Sequence, residues 1–155
     1  MPKFSLNKID LKILSHLQNN ARLTNVELSE HIHLSQSPCL RRVRNMESSG
    51  IIKRYVALVD QNAVGLPVSV FVNVRLEKQI ERALEKFEET VQDWSEVMEC
   101  YLMTGDSDYL LRVVASDLAA YERFLMDKLT CVPGVASINS SFALKQVTYK
   151  TALPI

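Results

Sequence analysis

Cysteine is scarce in this chain of 155 residues: Cys39, Cys100 and Cys131 are odd in number, widely spaced and form no CxxC pair. That argues against a disulfide framework and for free thiols in a reducing cytoplasm. With only 4 Gly and 5 Pro, collagen-like and low-complexity readings fail. No apolar run approaches the roughly 18 residues of a membrane span. The opening MPKFSLNKIDLK has no apolar segment of the kind a secretory signal carries. A cytoplasmic protein with no membrane partner is expected. Signature motifs of enzymes are missing too: there is no GxGxxG, no GxxxxGKS/T, no HExxH and no GxSxG. No two titratable residues stand out as an acid–base couple, so no catalytic residues, no cofactor and no enzymatic activity are expected.

What is present is the balance of a globular protein, with 47% hydrophobic and 23% charged residues. The length suits one ordinary domain or two small ones. Formal net charge is zero, but residues 1–60 hold nine Lys/Arg against five Asp/Glu, and residues 61–155 hold nine against thirteen. A basic half joined to an acidic half suggests a division of labour, with the basic half facing an anionic partner.

The N-terminal third reads as three short helices. In LNKIDLKILSHLQNNAR (6–22), Ile9, Ile13, Leu14 and Leu17 form one apolar face, with Asn7 as N-cap and Asp10 at the positive helix end. Thr24 and Glu27 have the spacing of a capping box, opening a helix over 25–32 that buries Leu28 and Ile32. After the turn at His33-Leu34, Ser35 or Ser37 caps a third helix. Pro38 lies in its first turn, where a missing N–H costs nothing, and Gly50 ends it.

This order is that of a helix-turn-helix. Leu40, Val43, Met46 and Cys39 share one side of the third helix. Arg41 and Asn45 lie opposite, flanked by Arg42 and Arg44. Arg and Asn read guanine and adenine edges bidentately, and Arg at the rim meets phosphates. Ser35, Gln36, Ser37 and Pro38 form the helix start, whose N–H and hydroxyl groups suit a phosphate. A solvated basic face is the bland alternative, weakened by three Arg and an Asn with no acid until Glu47.

IIKRYVALVD (51–60) is rich in β-formers and reads as a strand leaving the helices, with Asp60, Gly65 and Pro67 bounding a linker. The division predicted is 1–52 for a helix-turn-helix domain, 53–66 for a linker strand and 67–155 for the remainder. That remainder reads β-α-β-β-α-β: a strand at 68–77, a helix at 79–92, strands at 97–103 and 109–115, a helix after Asp117, and a long strand from Val135 to about Tyr149. The fold class is α+β, with a ferredoxin-like split βαβ module whose helices cover one sheet face. Phe71, and apolar residues on both faces of 109–115, imply that a second copy buries the other face. His31, His33 and Cys39 do not make a convincing metal set, and Trp94 reads as packing.

TNVELSEHIHLSQSPCLRRVRNMESSGII (24–52) resembles the helix-turn-helix of the Lrp/AsnC, or feast/famine, transcriptional regulators. The resemblance continues through YVALVD (55–60), TGDSDYLLRV (104–113), DLAAYERFLMDKL (117–129), PGV (133–135) and the closing KQV…TALP. It implies a winged-helix-like domain that binds double-stranded DNA, a ligand-sensing domain, dimers assembling further, commonly to octamers, and a free amino acid as effector. By position it puts Met103, Thr104, Gly105, Asp106, Asp108 and Tyr109 near the effector, with Ser140 from the last strand. Several members carry Thr where this chain has Ile138 and Ser140, and Ile138 departs from that pattern. Asp108 and Asp106 would face the ammonium group, and backbone N–H groups around Gly105 the carboxylate. Leu102, Met103 and Ile138 offer apolar surface, which favours leucine or methionine. The alternatives are a nucleoid-type architectural DNA binder with little effector response, and a small metabolite-binding protein or enzyme.

Overall fold

The computed structural model describes residues 5–78 and 80–155. These fall into two units, one of residues up to 58 together with 147–155, the other of 59–146.

The first unit holds α1 (Lys8–Asn19), α2 (Asn25–His31) and α3 (Gln36–Ser48). Both expected capping devices form. Asn7 accepts from the N–H groups of Ile9 and Asp10, while Asp10 accepts from the Asn7 N–H; Thr24 and Glu27 exchange the same pair of bonds at the start of α2. Ser35 is the N-cap of α3, yet its side chain makes no capping bond. His33 takes a left-handed φ of 55° in the tight turn before α3, and Gly50 (φ 76°) follows its end, where a left-handed residue stops the helix. Ile13, Leu17, Leu28, Ile32, Cys39 and Met46 form the core. Burying each of the larger ones contributes about 1.5–3 kcal/mol. His31 stacks on His16, with ring centroids 4.9 Å apart. The C-terminal residues join this unit: Leu153 donates its N–H to Gln18 Oε1 (2.7 Å) and accepts from Gln18 Nε2 (3.3 Å).

The strand expected at 51–60 does not form. No ladder is present there, and Tyr55, Val56, Leu58 and Val59 are exposed. A strand exists only where a neighbour satisfies its N–H and C=O groups, and none of the described residues supplies one.

The second unit contains β1 (Val68–Leu76), α4 (Glu81–Gln92), β2 (Val97–Leu102), β3 (Tyr109–Ala115), α5 (Leu118–Asp127), a 3-10 turn (Leu129–Cys131) and β4 (Val135–Phe142). The expected helix start at Gln79 lies outside the described residues. The sheet is antiparallel in the order β2-β3-β1-β4, the ferredoxin-like arrangement read from the sequence. β4 stops at Phe142, short of Tyr149, because its partner runs out: Phe142 faces Val70, and Ala143 donates to the Ser69 carbonyl at the beginning of β1.

Register assigns the faces. Val70, Val72 and Val74 lie beside Val113, Leu111 and Tyr109 under the helices, packed on Phe87, Val91, Tyr121, Phe124 and Leu129. Trp94 packs edge-on against Phe124, as its position after α4 implied. Ser69, Phe71, Asn73 and Arg75 alternate onto the opposite, helix-free face. Among the described residues no helix is long and apolar enough to cross a membrane, and no group of three or more His, Cys, Asp or Glu could hold a metal ion.

Candidate functional site

Two surfaces carry chemistry, one on each unit. On α3, burial separates the faces. Cys39 and Met46, seven residues apart, are buried, and Val43 between them is partly so. Ser37, Leu40, Arg41, Arg44, Asn45 and Ser48 are exposed, at the spacing of a single outward stripe. Gln36 and Ser35 at the helix start are exposed as well, and Pro38 is half-buried. Asn25 of α2 donates its side-chain amide to the Gln36 carbonyl (2.9 Å), tying the first turn of α3 to α2.

Two residues of α3 differ from expectation. Arg42, expected at the phosphate rim, is turned inward: its Nη1 bonds Asp10 Oδ1 at 2.8 Å, and the Asp10 side chain is 1% exposed. A buried carboxylate needs a cation more than a hydrated phosphate does, so this pairing takes the guanidinium. Leu40, placed on the core side by the sequence, is exposed. The Cys39–Val43–Met46 spacing would have located the core stripe and left Leu40 outside it. An exposed Leu between Ser37 and Arg41 is suited to apolar contact with a thymine methyl.

The second surface is the helix-free sheet face beside the β2–β3 turn. A depression of about 440 Å³ is lined by Asn73 and Arg75 of β1, Asp106 and Ser107 of the turn, and Ser137 and Asn139 of β4. Ser107 Oγ donates to Asn73 Oδ1 (3.1 Å), holding the turn against β1. Met103, Thr104, Gly105 and Asp106 are exposed, and Gly105 has φ 118°, which a side chain resists.

The remaining effector candidates lie elsewhere. Asp108 is 5% exposed; its Oδ2 accepts the Leu76 N–H (2.7 Å), its N–H donates to the Val74 carbonyl (2.9 Å), and its carbonyl accepts the Met103 N–H (2.8 Å). It anchors the turn to β1. Tyr109 is buried under the helices, where its hydroxyl bonds Glu88 (2.8 Å) and its ring packs on Phe87. Burial first, and then that bond, push the Tyr109 hydroxyl above its ordinary pKa, so it stays protonated. Ser140 pairs with Tyr121 on the same covered side, and Ile138 packs into the core. Strand alternation explains the last two: they sit opposite Val72 and Val74, whereas Ser137 and Asn139 sit opposite Arg75 and Asn73. Arg75, Asn73, Ser137 and Asn139 were missed for the same reason, since their grouping depends on the β1–β4 register, which the sequence does not state.

A winged helix-turn-helix followed by a ferredoxin-like unit with a polar depression at its turn is also what comparison with known proteins finds. Residues 6–53 match the winged helix-turn-helix DNA-binding family, and residues 69–153 match the Lrp/AsnC ligand binding domain. The chain belongs to the Lrp/AsnC family. It is a transcriptional regulator with a DNA-binding unit and a ligand-binding unit. Among Lrp/AsnC relatives, the Bkd operon transcriptional regulator of Pseudomonas aeruginosa is 49% identical over 150 residues, covering 97% of this chain and 98% of the relative. The leucine-responsive regulatory protein of Escherichia coli is 37% identical over 154 residues, covering 99% and 94%. The crystal structure of a transcriptional regulator from Neisseria meningitidis in complex with L-Met matches with a TM-score of 0.91 at 43% identity, covering 97% of both chains.

Proposed function

We propose that this Lrp/AsnC regulator reads operator DNA through the exposed stripe of α3 and alters that binding in response to a free amino acid held at the TGDSD turn. Arg41 and Asn45 face the bases in the major groove, and Arg44 meets phosphates. The hydroxyls and N–H groups at Ser35, Gln36 and Ser37 secure the helix start to the backbone. The observation that carries the DNA half is the stripe itself, which sets bidentate readers in its middle.

The effector half is supported by Asp106. Its carboxylate is exposed beside the depression, with no hydrogen bond or ion pair among the described residues, and is available to an ammonium group. Methionine and leucine are the first candidates, in keeping with the L-Met complex of the Neisseria structure and the leucine-responsive relatives. Exposed Leu102 and Met103 supply apolar surface near the turn. Residues 1–52, 53–66 and 67–155 divide the work as DNA-binding domain, linker and effector domain.

Two unpaired features support self-association in the cytoplasm. The extended residues 53–60 lack a strand partner, and the helix-free sheet face exposes Phe71 and Tyr101. A dimer using both, assembling further to an octamer, leaves fewer open backbone groups and less wet apolar surface. Footprinting on the promoter of a regulated gene, with and without 1–10 mM methionine or leucine, tests the whole reading. A salt-dependent footprint whose midpoint moves with one amino acid supports it. A footprint indifferent to all twenty favours an architectural DNA binder.

A further inference from the structure

Resting on the amino-acid reading above, we propose that Arg75 is the carboxylate receptor of the effector site and that Asp106 opposite it takes the ammonium group. The two residues together select a free α-amino acid by its zwitterionic head. Both line one depression, yet no ion pair joins them, and neither has a hydrogen-bond partner among the described residues. Elsewhere in this unit the charged pairs close on each other: Arg112 on Glu99 at 2.9 Å and Lys128 on Glu96 at 2.7 Å. Arg75 and Asp106 instead remain apart, across a space otherwise edged by neutral groups, Asn73, Ser107, Ser137 and Asn139. An α-amino acid carries its cation and anion on one carbon atom, and a site for it requires a fixed anion and a fixed cation facing the same volume.

The backbone holds each group in place. Arg75 is the last residue of β1 on the helix-free face, opposite Ser137, and the β1–β4 register shifts between Arg75 and Leu76. Such an irregularity re-aims a side chain and is common beside binding sites. On the other side, the Asp108–Leu76 and Ser107–Asn73 bonds pin the turn that carries Asp106 to the strand that carries Arg75. A guanidinium presents a planar fork that matches a carboxylate bidentately, which backbone N–H groups at an open turn do less well. Gly105 is explained by its φ of 118° alone, so the glycine need not imply a carboxylate seated on the turn backbone.

Calorimetry on the full-length chain tests this with L-methionine, L-leucine and L-methioninamide, which keeps the ammonium and lacks the carboxylate. Wild type is expected to bind methionine and to discriminate against the amide. Arg75→Gln should bind methionine about 10- to 100-fold more weakly, the range expected for a lost charged hydrogen-bonding pair. Its affinity for methioninamide should be unchanged, so discrimination collapses. Arg75→Lys should restore part of it, and Asp106→Asn should weaken both ligands. Thermal melting and sedimentation without ligand accompany each variant. Methionine binding that Arg75→Gln leaves intact, or loss of both ligands to the same degree, overturns the assignment of Arg75 while leaving the effector reading standing. So does a change in ligand-free assembly, which would make Arg75 a contact between copies. A wild type that binds none of the amino acids overturns the effector reading, and the proposal with it.

Discussion

Asp10 and Arg42, 32 positions apart, meet at 2.8 Å, and the same Asp10 carboxylate closes the capping box of α1 by accepting the Asn7 N–H at 3.0 Å. One buried side chain therefore starts the first helix and fixes the third. Removing Arg42 strands a carboxylate that is 1% exposed. Arg42→Ala is expected to destabilise the helical unit by about 1–3 kcal/mol, less than a fully buried pair because Arg42 itself is partly wet. DNA affinity per folded molecule, and its salt slope, should be nearly unchanged. Arg44→Ala should do the reverse, with unchanged urea midpoint and a salt slope smaller by about one. Urea titration beside binding isotherms at several salt concentrations separates the two.

Arg41→Ala is expected to cost about 1–3 kcal/mol of DNA binding and to relax preference at one base pair. Leu40→Ala should weaken sites that carry thymine at a single position more than others, with the helical unit equally stable because Leu40 is exposed. Selection from a randomised operator pool, read by sequencing, checks both. An unchanged consensus for the two variants would remove α3 as the reading helix.

The capping boxes, the order of elements, the split βαβ module and the basic face of α3 were legible in the sequence. Each depends on local spacing: Asn7 with Asp10, Thr24 with Glu27, alternating Val from 68 to 74. What was not legible depends on pairing across the chain. Arg42 was misplaced because its partner lies on another helix. Tyr109 and Ser140 lie under the helices because of their positions opposite Val74 and Val72, and Arg75 joins Asp106 through the β1–β4 register. The predicted strand at 53–60 has the right residues and lacks a neighbour.

Acid should loosen the helix-turn-helix through Glu27. The Thr24 backbone N–H on its carboxylate, followed by the Thr24 hydroxyl, holds its pKa below the ordinary 4.5. A depressed carboxylate stabilises fully above the unfolded value and loses that contribution as pH falls through the folded one. Wild-type stability is expected to hold from pH 7 to about 5 and to decline below about 4.5. Glu27→Gln keeps the capping geometry without the titration, so its urea midpoint should vary less over the acid limb. Parallel acid limbs would rule Glu27 out as a contributor.

A dimer or larger species is expected at micromolar concentration, with half-sites about one helical turn, or a multiple of it, apart on the operator. Val56→Pro removes one backbone donor from the extended segment and should lower the assembled fraction. Light scattering of wild type and variant reads this directly. A monomeric wild type would leave residues 53–60 without the partner their composition implies.

The chain enters the sheet-bearing unit after residue 58 and returns at 147, where Gln18 grips both backbone groups of Leu153. Protease nicking in the exposed segment around 59–66 would therefore yield two fragments that still share a folded body, since the larger one carries nine residues belonging to the smaller. Separation of the halves would need denaturant, and a gene cut after residue 58 would leave the helical piece without the strap that its intact counterpart wears.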